Sequence, residues 1–154
     1  MASTTIGNLT TVVLDSDHSI ASSTTYENTT LTFTGTSSKR YIFNAYLKFT
    51  NNTTGGVKVN INNSAASSTW YVQWVQQAGT NFSSGTRVQH YTNAATDWPT
   101  IQVGGSHQDC IHSWDSIVTV GTGGVFTIQF AQNVSNPGAT VLKAGSFIQY
   151  QQVD

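Results

Sequence analysis

Residues 40–50 read RYIFNAYLKFT. Tyr41, Phe43, Ala45, Leu47 and Phe49 fall at every second position, the spacing that puts them on one face of a β-strand. A helix would scatter the same side chains around its axis. Downstream, Gly56–Asn62 repeats the pattern, with Val57, Val59 and Ile61 on one side and Lys58, Asn60 and Asn62 on the other. Residues 51–55 between them read as a hairpin loop. Val125–Gln132 sets Phe126, Ile128 and Phe130 against Thr127 and Gln129, and residues 121–124 form the turn leading into it from a strand at Ile117–Val120. Pro137 and Gly138 mark a turn before a short strand at Thr140–Leu142, and Ser146–Val153 is the final strand. Thr11–Leu14, Leu31–Thr34, Thr69–Gln77, Arg87–Thr92 and Thr100–Val103 bring the total to about ten short strands. No stretch carries helical periodicity and no repeat recurs. The expectation is an all-β fold, an antiparallel β-sandwich.

With 154 residues the chain makes one domain with one core. Residues 1–28 hold few apolar groups and are expected to form an N-terminal arm or first strand, with the sandwich proper at 29–154. Charged residues are only 8%, against about a quarter in ordinary domains. Thr, Ser, Asn and Gln together make up 64 of the 154 residues, so neutral hydroxyls and amides keep the surface wet. A net charge of -1 offers no basic field for a phosphate backbone, which argues against a nucleic-acid partner. No apolar run reaches the length of a membrane span, and the N-terminus has neither the basic start nor the apolar stretch of a signal peptide. One cysteine, Cys110, cannot make an internal disulfide.

Several strands carry large apolar groups on both faces. Ile42 and Tyr46 stand opposite Tyr41 and Phe43. Trp70, Val72 and Trp74 oppose Tyr71 and Val75, and Ile148 and Tyr150 oppose Phe147 and Val153. A sandwich in solution needs one apolar face per strand. The second face is read as a subunit interface, to which a near-zero net charge offers little repulsion.

The run GTGGVFTIQFAQNVSNPGATVLKAGSFIQYQQV, residues 121–153, resembles the C-terminal strands of the TNF/C1q-like jelly rolls, especially those in bacteriophage structural proteins. A Gly-rich turn enters an alternating strand, a Ser/Asn loop and short strand follow, and Gly145-Ser146 opens the last strand. The run LTFTGTSSKRYIFNAYLKFTNNTTGGVKVNIN, residues 31–62, is similar to the earlier core strands of the same family. The resemblance implies jelly-roll topology, a compact homotrimer with aromatic side chains around its axis, and no catalysis. Tyr46, Phe147 and Tyr150 are the candidates for that trimer interface.

Residues 104–115, GGSHQDCIHSWD, gather the reactive side chains. His107, Asp109, Cys110 and His112 are possible transition-metal ligands, but strong zinc signatures use paired ligands at two separate places, so the run reads as a polar loop. Ser106, His107 and Asp109 sit too close together on one loop for a triad, and no G-x-S-x-G elbow is present. A single Glu, Glu27, and six Asp give no opposed carboxyl pair for glycoside hydrolysis, and Asp97, Asp109 and Asp115 read as turn residues. Asp15 and Asp17 fall short of a calcium site. No cofactor is called for.

The function expected is therefore a non-enzymatic virion structural protein. It would be a homotrimeric capsid decoration, or cement, protein on the capsid surface, partnered by itself and by the major capsid protein. Residues 1–28 are the expected capsid-gripping segment, with Thr11, Asp15, Asp17 and His18 as contacts. The alternative is a receptor-binding fibre tip or carbohydrate-binding module, using Trp70, Trp74, Trp98 or Trp114 to stack on sugar rings.

Overall fold

The computed structural model describes residues 2–6, 8–50, 54–64, 69–77, 88–92 and 108–154. At 2–6, 63, 69–77, 88–92, 108–110 and 114–117 the description is of backbone and pairing alone. Among the described residues there are twelve strands and no helix. They are β1 (Ala2–Ile6), β2 (Leu9–Val13), β3 (His18–Ile20), β4 (Glu27–Gly35), β5 (Arg40–Thr50) and β6 (Lys58–Asn63), then β7 (Thr69–Gln77), β8 (Val88–Thr92), β9 (Gln108–Thr119), β10 (Gly124–Ala131), β11 (Thr140–Leu142) and β12 (Phe147–Gln152). The larger sheet runs β1-β2-β12-β5-β9-β7-β8, with β11 pairing β3 and β5; the smaller runs β4-β10-β6. Every described pairing is antiparallel. Steps from β4 to β5, β5 to β6, β6 to β7, β9 to β10 and β10 to β11 each change sheet.

The core lies between the sheets and follows the alternation of the strands. Tyr41, Phe43, Ala45, Leu47 and Phe49 of β5 are all buried, while Ile42 opposite them is exposed. Val59 and Ile61 of β6 and Phe126, Ile128 and Phe130 of β10 close the other side. Rings meet across the gap. Phe33 stacks on Tyr150 at 4.8 Å, and Phe49 lies 5.5 Å from Phe130. Burying one such ring stabilises the fold by about 2–3 kcal/mol, and a good ring pair adds about 1 kcal/mol.

Residues 1–28 hold β1, β2, β3 and the start of β4, so the boundary expected after residue 28 falls inside a strand. Val12, Leu14 and Ile20 are core residues, so residues 12–20 pack as part of the sandwich rather than as an arm apart from it. Two-residue spacing carries Val12 and Leu14 inward together. The Leu14 N–H donates to Ser146 O at 2.8 Å, and Gly145, at φ 80°, donates its N–H back to Leu14 O.

Residues 104–115 were expected as a loop, and the structure corrects this from residue 108 onward. Gln108–Thr119 is the longest strand, β9, paired with β5 on one side and β7 on the other. Asp109 and Asp115 are therefore strand residues rather than turn residues. Ile111 and Ser113 point into the core, and Ser113 Oγ accepts the Ala45 N–H at 2.8 Å where the β5–β9 register shifts. The strand expected at Thr100–Val103 lies outside the described residues, as do His107, Asp97 and Trp98.

The edge strand β4 is broken by a bulge. Its register with β10 passes from Thr32↔Thr127 to Asn28↔Gln129, four residues against two. Thr29 fills the irregularity: its buried hydroxyl donates to Ile128 O at 2.8 Å and accepts the Leu31 N–H at 3.1 Å. Such a bulge disrupts the repeat that a neighbouring chain's strand would otherwise extend.

Candidate functional site

The outer faces of the two sheets differ in chemistry. On the smaller sheet the alternation sends amides and hydroxyls outward. Asn60 donates through Nδ2 to Gln129 Oε1 at 2.9 Å, and Gln129 donates through Nε2 to Asn28 Oδ1 at 2.8 Å. This amide ladder crosses all three strands. At its margin the Lys58 ammonium sits 4.7 Å from the centre of the Tyr26 ring.

On the larger sheet the same alternation sends apolar and aromatic groups outward. Register places Val13 of β2 opposite Phe147 of β12, Phe147 opposite Tyr46 of β5, Tyr46 opposite His112 of β9, and His112 opposite Val75 of β7. Val13, Phe147, Tyr46 and His112 are each half-buried. Tyr46 and Phe147 stack at 5.6 Å and 19°, and the His112 ring meets Tyr46 edge-on at 4.5 Å and 70°. A second row joins Leu9, Gln151, Ile42 and Ile117, with Ile42 39% exposed. Between the rows lie Thr11, Gln149 and Asn44, and Gln149 donates through Nε2 to Thr11 Oγ1 at 3.2 Å. No side chain described in these rows carries a fixed charge. Burial holds the His112 imidazole below its ordinary value of 6.5, because the charged form loses water there.

Of the three residues expected at a trimer interface, the structure brings Tyr46 and Phe147 together on this face. Tyr150 lies on the opposite face of β12, stacked on Phe33 and packed against the core. The four expected capsid contacts are divided. Thr11 belongs to the outer face of the larger sheet. Asp15 and Asp17 are exposed between β2 and β3. Asp17 pairs with Lys143 and accepts the Ala144 N–H at 2.8 Å, and these bonds draw its carboxyl below the usual range. His18 Nε2 lies 3.2 Å from Glu27 Oε2, with its ring edge-on to Phe130 at 5.1 Å. Both Asp17 and His18 are thus engaged within the chain.

The metal candidates do not gather in the described part of the chain. Cys110 and His112 take successive outward register positions on β9, opposite Lys48 and Tyr46, whereas Asp109 stands opposite core residue Phe49. Among the described residues no group of three His, Cys, Asp or Glu is placed to hold a metal ion. Trp70 and Trp74 are placed by register alone, opposite Val118 and Ser113.

One polar centre escaped sequence reading. Gln132 is completely buried at the end of β10. Its Oε1 accepts the N–H groups of Ser23 (3.3 Å) and Asn136 (3.0 Å), and its Nε2 donates to Gly138 O at 2.7 Å. Asn136 in turn accepts the Ser22 N–H at its backbone carbonyl, 2.8 Å away, and donates through Nδ2 to Thr54. One glutamine thereby ties three loops at one end of the sandwich.

The chain matches no family model and no curated protein. Among solved structures it is similar to a chain in "Structure of infectious bursal disease virus Gx strain", at 9% identity and a TM-score of 0.23. That overlap takes in 94% of this chain and 41% of the other, so this chain spans less than half of its length. A likeness of this size carries no argument about fold or role.

Proposed function

We propose that this chain is a non-enzymatic structural protein of a virus particle, a homotrimeric decoration protein on the capsid surface of a bacteriophage. The observation that carries the reading is the aromatic row Val13–Phe147–Tyr46–His112 on the outer face of the larger sheet. A sheet facing only water is served by polar side chains there, whereas this stacked Tyr–Phe pair leaves apolar surface half in water for a partner to cover. Five strands at about 4.8 Å spacing, over the stretch of β5 from Ile42 to Tyr46, give a flat footprint of about 400 Å². That is about half of the ~800 Å² per partner of a stable contact, so neighbouring surface would complete it. The rows carry no fixed charge, so a second copy of the same face is not repelled.

The strands from β3 to β7 and from β9 to β11 change sheet at every step, and this interleaving supports the jelly-roll expectation. The resemblance of residues 31–62 and 121–153 to phage jelly rolls supports the viral setting. The physical role would be linkage: a trimer that binds only the assembled shell stabilises it. The test is copy number in purified particles, measured by mass spectrometry against the major capsid protein. Hundreds of copies in a fixed ratio are expected. Absence from the particle refutes the reading, and a few copies would move the protein to a vertex or fibre.

A further inference from the structure

On the outward face of β12, between β2 and β5, Phe147 is followed by two glutamines, Gln149 and Gln151. Both are half-buried. Gln149 uses one N–H on Thr11 Oγ1, at 3.2 Å, which leaves its Oε1 and second N–H without a partner among the described residues. Gln151 stands between Leu9 and Ile42, and its amide makes no hydrogen bond among the described residues. We infer that Gln149 and Gln151 fix the register in which copies of this chain meet, their amides pairing with those of the neighbouring copy. The inference rests on the self-association that the proposed function assigns to this face.

The chemistry of the face selects a second copy as its occupant. Covering an amide with an apolar surface costs it the hydrogen bonds it made to water. A primary amide carries both donors and acceptors, so another glutamine answers it. The same face of a second copy brings those amides together with the row Val13–Phe147–Tyr46 beside them. None of these side chains carries a fixed charge to oppose it. Register extends the face onto β1, where Ala2, Thr4 and Ile6 pair with Val13, Thr11 and Leu9, and this widens the footprint by one strand. The aromatic row alone discriminates little between superpositions, because burial is not directional. Sliding one copy by two residues, about 7 Å along the strand, lays a glutamine on Phe147 and leaves amides covered but unpaired. A penalty of about tenfold for each stranded amide, or about 100-fold for two, leaves shifted assemblies at about 1%. A single buried amide sets the register and copy number of a coiled coil in the same way.

Different registers tilt neighbouring copies differently and so close assemblies of different copy number. The experiment is sedimentation velocity with light-scattering mass on the whole chain, on Gln149→Met, on Gln151→Met and on the double variant, with far-UV circular dichroism to follow the strands. Asn62→Met, at an exposed position on the outer face of the smaller sheet, controls for an added surface methionine. The parent and Asn62→Met are expected to give one species of one mass. The double variant is expected to associate at equal or lower protein concentration, but as a mixture of masses. Each single variant is expected to fall between, and carries the test if the double variant loses its strand signal. A double variant that keeps the parent's single mass overturns the inference and leaves the oligomer reading standing. So does one that turns monomeric with its strands intact, because the amides would then drive association rather than direct it, and so does equal broadening in Asn62→Met. A parent that is monomeric overturns the oligomer reading itself.

Discussion

Replacing Gln132 by Met keeps the length and nearly the volume of the side chain while removing its amide. In the native fold that amide serves three backbone groups: the N–H of Ser23, the N–H of Asn136 and the carbonyl of Gly138. A methionine serves none of them. The Asn136 and Gly138 bonds, at 3.0 and 2.7 Å, are well formed, and each is worth about 1–2 kcal/mol once its partner is left without a substitute. The Ser23 bond, at 3.3 Å, is longer and so weaker, and it adds less than about 1 kcal/mol. The expected destabilisation is about 3 kcal/mol, a large share of the ~5–15 kcal/mol that holds a domain together. Urea unfolding at fixed protein concentration reads it directly. With a slope of about 2 kcal/mol/M, the midpoint falls by about 1.5 M. Gln132→Ala should cost about 1–2 kcal/mol more, for the cavity. A Gln132→Met midpoint within 0.3 M of the parent would refute the reasoning, because it would show the loops satisfied without the amide.

Thr29→Val keeps the shape of the bulge in β4 but strands Ile128 O and the Leu31 N–H; a loss of about 2 kcal/mol is expected in the same urea assay. Gly35→Ala drives a methyl to 2.7 Å from both Phe126 Cε2 and Val120 Cγ2, core atoms with little room to give, and should lower stability by about 1–3 kcal/mol by calorimetry. Ser38 adopts φ 62°, where a side chain is strained, so Ser38→Gly should be neutral to about 1 kcal/mol stabilising; a clear loss in melting temperature would contradict this. Asp154 accepts the Arg40 N–H and Nε–H, each at 2.7 Å, and its carboxyl is held below the ordinary 3.8, as is that of Asp17. A depressed carboxyl stabilises above its unfolded value and loses that contribution as pH falls through its folded one. Melting curves of Asp154→Asn and the parent should therefore differ at pH 6, and the difference should shrink as pH falls below 3.8.

The strands were legible where packing and pattern agree. β5 runs over the residues the alternation marks, because each inward position carries an apolar or aromatic side chain buried in the core, and β11 follows the turn marked by Pro137 and Gly138. Of β9 only the end was marked, by the strand expected at Ile117–Val120; the rest was not, because its inward positions include Ser113, whose hydroxyl accepts the Ala45 N–H of another strand. Its polar outward residues then looked like a reactive loop. β1 was missed although Gly7-Asn8, between Ile6 and Leu9, is a two-residue hairpin signal. Tyr150 shows parity read without its consequence. It shares a face with Ile148, so it belongs to the core, while Phe147 belongs outside. Nothing in the chain distinguishes Gln132 from the other glutamines, since its burial depends on three loops meeting.

The two outer faces bear on how a particle would use this chain. On the smaller sheet Asn28, Gln129 and Asn60 spend part of their hydrogen-bonding capacity on one another, so a partner arriving there gains little from each residue. On the larger sheet Tyr46 and Phe147 shield one another but stay half in water, and covering them returns free energy in proportion to the area removed from it. Association should therefore proceed first through the larger sheet, leaving the amide face outermost. Contacts made by such a neutral face are individually weak. Three copies held rigidly together convert three weak contacts into one firm attachment, because the second and third form at high local concentration. In the proposed trimer, assembly and shell binding would be coupled: a Tyr46→Asp variant that folds as a monomer should lose particle binding by far more than its own contacts explain. If the monomer bound particles as tightly as the parent, the larger sheet would not be the assembly face.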